Sequence, residues 1–187
     1  MRKSKKKLQN KDTTVEQMSK EEIKFVQNLK DKDKTIKNFE NQMKKVGFKE
    51  IKLDDKNSKL KYISKKAKEK DVYGFIVNTA YKNEKTKEIV VSETIYDSYN
   101  KKITKFVAGK QKMEKNAKDK ILVNKNYIEK KDSTTYGFTW NGKAFACSMG
   151  GLLACAHYCG IWLIVNPIAG GTCQAVCGTA FAAACSL

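Results

Sequence analysis

The chain has 187 residues and a formal charge of +18 at neutral pH, from 38 basic and 20 acidic side chains. That length holds one ordinary domain, or one small domain with an appendage. Arg2 is the only arginine. Arginine is the usual bidentate reader of guanine and the better phosphate fork, so this almost purely lysine charge argues against specific nucleic-acid recognition and reads as solubility with weak attraction to anionic surfaces.

Residues 1–12 are expected to be a basic, disordered tail. The run Met1–Lys11 is basic enough for the start of a signal peptide, but no apolar segment follows it and no twin-arginine motif is present, so the export route is not legible. Residues 13–128 read as a small α+β domain. Ser19-Lys20-Glu21-Glu22 is a capping box that opens a short helix carrying Ile23, Val26 and Leu29 on one face. Ile36, Phe39, Met43 and Val46 repeat at helical spacing, and Gly47 stands where a second helix should stop.

After Gly47 the pattern turns to strands. Lys49–Leu53 and Lys59–Ile63 are weak candidates, whereas Val72–Tyr81 and Glu88–Tyr96 are rich in β-branched and aromatic residues. Residues 82–87 make a polar hairpin loop, and Ile103–Val107 follows the polar turn 98–101 as a further strand of an antiparallel meander. Residues 109–135 are lysine-rich and weakly patterned apart from Ile121-Leu122-Val123. They read as a linker, with 110–120 alternatively a ragged last helix, and a processing site is expected within 129–143. This half has neither histidine nor cysteine, its carboxylates are interleaved with lysines as on a solvated face, and no glycine-rich phosphate loop occurs. No catalytic residue, cofactor or enzymatic activity is expected.

From Ala144 to Leu187 there is no Lys, Arg, Asp or Glu, and all six cysteines lie there. Their spacing, C-x7-C-x3-C-x13-C-x3-C-x7-C, is palindromic. In an antiparallel helical hairpin, facing residues have a constant index sum. Cys147 with Cys185, Cys155 with Cys177, and Cys159 with Cys173 share one sum, centred on residue 166. Of fifteen possible connectivities, this rule selects those three nested disulfides. At ~100° per residue the cysteines of each arm fall on one helical face. Asn166-Pro167 sits at the centre, Asn as the expected N-cap of a second helix and Pro at its first position, with a later start at Thr172, after the slack of Gly170 and Gly171, as the less favoured alternative. A unit of about forty residues buries too little apolar surface to fold unaided, which is the physical need for the bridges.

Trp140, Phe145, Tyr158, Trp162 and Leu163 are the expected contacts with a bilayer interface or envelope receptor. Metal binding through Cys155, His157 and Cys159 is set aside, because His157 is two residues from either cysteine and points elsewhere on a helix. No metal site is expected.

The segment Cys147–Cys185, an Ala/Gly/Cys-rich uncharged tail with two C-x3-C pairs and an internal Asn-Pro-Ile-Ala-Gly-Gly turn, resembles the C-terminal peptide of halocin-type bacteriocin precursors, which occur in haloarchaea and Gram-positive bacteria. The resemblance implies a precursor: an N-terminal part, with an immunity role in the archaeal case, and a C-terminal antimicrobial peptide released by proteolysis. The expectation is therefore an α+β carrier or immunity-like domain over 13–128, a linker over 129–143, and a disulfide-stapled helical hairpin over 144–187. The N-terminal domain would mask the hairpin, which is secreted and acts on the target-cell envelope after release. The alternative is a membrane-anchored protein held by the apolar hairpin, with its lysines at the cytoplasmic face.

Overall fold

The computed structural model describes residues 13–64, 72–128, 142–170 and 173–181. In chain order the elements are β1 (Thr13–Gln17), α1 (Lys20–Lys32), α2 (Lys34–Lys45), β2 (Lys49–Ile51), α3 (Asp55–Ser58), β3 (Lys59–Ser64), β4 (Val72–Asn83), β5 (Glu88–Asp97), β6 (Lys102–Lys112), β7 (Lys120–Asn126), α4 (Gly142–Gly150), α5 (Leu152–Val165), a 3-10 turn (Pro167–Ala169), α6 (Gln174–Val176) and a π turn (Cys177–Phe181).

Local chemistry accounts for the first helices. The Ser19 hydroxyl accepts from the Glu22 amide while the Glu22 carboxylate accepts from the Ser19 amide, the reciprocal capping box. Asp33 ends α1 and caps α2, accepting from the Ile36 amide at 2.9 Å. Gly47 takes φ +87°, a left-handed conformation that lets the Phe48 amide reach the Met43 carbonyl and stops α2.

The strands form one antiparallel sheet in the order β1-β3-β4-β5-β6-β7, and β2 extends the β3 edge by pairing with the far end of β4. The β4–β5 hairpin is closed by Asn83, whose side-chain oxygen accepts from the amides of Lys85 and Thr86. Two strands depart from the expected plan. Thr13–Gln17 pairs with β3 as an edge strand, and the stretch read as a linker is largely sheet: β6 runs on to Lys112, and Ile121-Leu122-Val123 lies in β7, so 110–120 is not a helix. β7 is an edge strand with Lys and Asn on its solvent side, and that composition hides it from a propensity reading.

Period-2 alternation gives the sheet two apolar faces. One carries Tyr81, Val90 and Phe106 against Ile36, Phe39 and Met43 of α2, with Phe75, Val77 and Tyr96 against Val26 of α1. The other carries Ile76, Ala80, Ile89, Val91, Ile95 and Val107, and the C-terminal segment covers it. Phe145, Met149, Ala154, Tyr158, Ile161, Trp162, Val176, Ala180 and Phe181 share a single core with those strand residues. The result is three layers, helices on both faces of the sheet.

The C-terminal segment is therefore not a self-contained hairpin of two equal helices. Its first arm is α4 and α5, separated at Gly150-Gly151, and the described part of its second arm is only α6 and the π turn. Glycine and threonine lower the helix propensity of that arm, and its alanines offer little area to bury, so it takes its shape from what it packs on.

Candidate functional site

The site is the interface between the uncharged segment and the sheet. On α5, Ala154, Tyr158, Ile161 and Trp162 fall on one helical face and are fully buried. α5 is apolar on all sides, so its other face leaves Leu152, Leu163 and Ile164 exposed, with Ile168 beyond it. Two strand glycines make the approach possible. A Cβ on Gly74 would lie 2.6 Å from Met149 Cε and 2.9 Å from the Tyr96 carbonyl, and one on Gly109 would run into Tyr158 Oη, with Val176 Cγ2 at 3.0 Å.

Polar groups fasten each part of the segment to the sheet. The Tyr158 hydroxyl donates to the Val91 carbonyl at 3.3 Å. Asn166 Nδ2 donates to Gln111 Oε1 at 2.8 Å and to the Lys112 carbonyl at 3.0 Å. Asp119 accepts from the Ala175 and Val176 amides, both at 3.0 Å. Lys105 Nζ donates to the Ala180 carbonyl and, at 2.7 Å, to Asn126 Oδ1, and it sits 5.5 Å from the Phe181 ring centre.

Beneath α5 lies a buried polar row. Asn78, Glu93 and Lys105 come from neighbouring strands and face the segment. Asn78 Nδ2 donates to Glu93 Oε2 at 3.0 Å. His157 Nδ1 lies 3.6 Å from the same carboxylate oxygen, and His157 Nε2 is 2.6 Å from the Asn57 carbonyl. The Nε2 nitrogen must therefore carry the proton, which leaves Nδ1 as the unprotonated nitrogen of the neutral ring. Among the described residues, Glu93 Oε1 and Asn78 Oδ1 have no hydrogen-bond partner. Burial pushes Glu93 well above the usual carboxylate range, against the opposing pull of Asn78 and Lys105. Burial also pushes Lys105 down to about 8, opposed by Glu93. The His157 ring is pushed below its ordinary value by burial, opposed by its bond to Asn57.

The cysteines join α5 to the second arm and pack against the shared core. Cys155 is bonded to Cys177 and Cys159 to Cys173, with Cα separations of 5.3 and 5.5 Å. Cys147 is also disulfide-bonded. Cys185, its expected partner, lies outside the described residues, as does Trp140.

Several expectations need correction. Phe145, Tyr158 and Trp162, expected to contact a target once the peptide is released, are buried against the sheet in the intact chain, whereas Leu163 is exposed. A tryptophan and a tyrosine on an apolar helix bury more area in a core than on a surface, and the sheet supplies that core. Asn166 and Pro167 do lie at the turn, but Pro167 begins only a 3-10 turn, the next helix starts at Gln174, and Asn166 makes no side-chain cap. Its amide is drawn to β6 instead. Glu93 is not on a solvated face; it is completely buried. The site residues that the sequence reading passed over are Asn78, Glu93, Lys105, Gln111 and Asp119, with Gly74 and Gly109. Glu93 and Lys105 did carry a signal: each interrupts a strongly apolar strand at a position of core-facing parity.

A family model described as "Putative immunity protein/bacteriocin" (Gpos_C8-like) matches residues 2–185. No curated protein and no solved structure matches the chain.

Proposed function

Because the chain belongs to this immunity protein/bacteriocin family, we propose that it is a bacteriocin precursor whose C-terminal disulfide peptide is masked by its own sheet domain until proteolysis within 129–143 releases it. The observation that supports masking is the burial of Phe145, Tyr158 and Trp162 in the core shared with the sheet. In the intact chain these side chains are unavailable to a bilayer or receptor; in the released peptide, two bridged arms would present them. Residues 13–128 then serve as the carrier or immunity-like half, and the peptide acts outside the producing cell on the envelope of competitors. The segment from 144 onward adds no formal charge, so electrostatic capture by anionic lipid is slight and a receptor is as suitable a target as lipid.

Culture supernatant analysed by mass spectrometry should contain a C-terminal peptide lighter by six hydrogens than its reduced form, one pair per bridge of six cysteines. That peptide should inhibit a Gram-positive indicator strain, and the intact chain should not. A peptide inert across a broad panel refutes the killing role. Equal potency of the intact chain refutes masking.

A second reading is favoured by one observation. Cys147–Val165 is a 19-residue stretch long and apolar enough to cross a membrane, and only a third of its apolar window is buried inside the protein. On that reading the segment anchors the basic half at a membrane. Flotation of the uncleaved, oxidised chain with lipid vesicles separates the two: an anchor floats with them, whereas a masked precursor stays in the aqueous fraction.

A further inference from the structure

An apolar interface has no need of the polar row beneath α5. Among the described residues, Asn78 Oδ1, Glu93 Oε1 and His157 Nδ1 are buried there without a hydrogen-bond partner, a costly arrangement where plain apolar packing would serve. We propose that the row is an acid-operated latch: one proton taken up from solvent at His157 Nδ1 lifts α5 off the sheet and unmasks the C-terminal segment. Such a latch deepens the masked-precursor reading and rests on it, since only a masked segment needs a release step.

Geometry fixes the sign. His157 Nε2 donates to the Asn57 carbonyl, so the lone pair of the neutral ring is on Nδ1, 3.6 Å from Glu93 Oε2. What a proton on Nδ1 does depends on what Glu93 carries. A carboxylate would make an ion pair with the ring and tighten docking, whereas a carboxylic acid offers no counter-charge. Glu93 is completely buried and accepts from Asn78 Nδ2 at 3.0 Å through one oxygen, while its other oxygen accepts nothing. Lys105 spends its hydrogen bonds on the Ala180 carbonyl and Asn126 Oδ1. A carboxyl so placed is held as the neutral acid, and burial does push Glu93 well above the usual carboxylate range. Lys105, lowered by burial only to about 8, is a cation at neutral pH and below. Protonation of His157 therefore puts a second cation into a row that has no anion.

The other groups around the row do not supply one. Tyr62 of β3 and Tyr158 of α5 also face Glu93, and burial raises both, so they stay neutral in acid. Asp54 accepts from the Lys56 amide, Asp55 pairs with Lys59 Nζ at 2.7 Å, and Asp119 accepts from the Ala175 and Val176 amides. The segment from Ala144 onward has no Lys, Arg, Asp or Glu.

The ring is held between α3 and β5 with 8 % of its side chain exposed, so a charged ring regains water when the helix that carries it moves away. By linkage, the factor by which docking weakens proton binding to the ring is the factor by which full protonation raises the undocked population. The bridges Cys155–Cys177 and Cys159–Cys173 stay intact throughout, and they make α5 and the second arm leave as one piece.

The test uses the full, oxidised chain. His157 is its only histidine, so the ring's NMR titration needs no assignment. It should titrate below its value in urea, as the Nε2–H tautomer. Exchange of α5 amides, corrected for the chemical rate at each pH and divided by that of amides at the centre of β5, should rise from about pH 7.5 to about pH 5, where a histidine titrates. The rise should match the factor that the ring titration gives. His157→Gln should abolish it, and Glu93→Gln, an isostere of the neutral acid, should keep it. A ring that titrates at or above its urea value overturns the latch, even if neither variant folds. So does exchange that is flat or slower in acid, a rise that survives His157→Gln, or one that Glu93→Gln abolishes. No killing assay enters, so an inert released peptide would refute the precursor reading and leave these measurements standing. Flat exchange beside an active peptide would refute the latch alone.

Discussion

Gly109→Ala is the smallest change that addresses the docking of the C-terminal segment alone. Gly109 lies in β6 with its backbone outside the left-handed region, so alanine suits the strand itself. The added methyl meets Tyr158 Oη and sits 3.0 Å from Val176 Cγ2. Neither neighbour has room to retreat, since Tyr158 and Val176 are both fully buried. Overpacking of this kind costs about 1–3 kcal/mol. Turning the Tyr158 hydroxyl away from the Val91 carbonyl forfeits a further 1 kcal/mol, roughly. Alanine offsets some of this, about 0.5–1 kcal/mol, by restricting the unfolded chain. The net cost is about 2 kcal/mol, or a roughly 30-fold rise in the undocked population. Hydrogen exchange read at the amides of α5 should speed up by that factor, while amides at the centre of β5 change little. Tyr158→Phe removes the atom in the way, so Gly109→Ala should cost distinctly less in that background, with a coupling energy of about 1 kcal/mol. Exchange in α5 unchanged by Gly109→Ala would refute the docking geometry. The same cost in both backgrounds would refute the assignment of the clash to Tyr158.

Two further outcomes follow from the polar contacts. His157 has a lowered pKa, so its contribution to stability is fully present above about pH 6.5 and is lost as pH falls through its folded value, whereas Glu93, raised, contributes fully below about pH 4.5 and loses that contribution as pH rises; His157→Gln should therefore remove the loss on acidification, so that urea midpoints measured from pH 7 to 5 rise relative to the parent chain, and parallel curves would show that the ring is not buried as described. Asn166→Ala should cost about 1–3 kcal/mol, because Gln111 Oε1 and the Lys112 carbonyl lose their donor; thiol titration should find Cys159–Cys173 easier to reduce, and a silent substitution would place Asn166 away from β6.

The sequence by itself determined the elements whose causes are local. The capping box at Ser19, the glycine stop at Gly47 and the β-branched runs of β4 and β5 depend on neighbours a few residues away, so spacing and residue type suffice. The palindrome of cysteines is likewise a property of the order of residues. Elements of edge composition were harder to read: β7 shows lysine and asparagine where a buried strand would show apolar side chains, and β1 exists because β3 offers it an open edge.

What only the tertiary structure decided is where the apolar segment buries its surface. An uncharged helix with no polar face has no preferred direction written into it, and a membrane, a partner or the chain's own sheet would each satisfy it. The choice rests on the second face of the sheet, whose parity-matched residues Ile76, Val91 and Val107 are far apart in the chain and meet only when β4, β5 and β6 pair. The same pairing brings Asn78 to Glu93 and sets Lys105 beneath Ala180, and it opens the gaps at Gly74 and Gly109 that Met149 and Tyr158 fill. Asn166 shows the rule at a single residue. Locally it is a helix cap, but the sheet presents Gln111 and Lys112 within reach, and a buried amide goes to the partners that satisfy it.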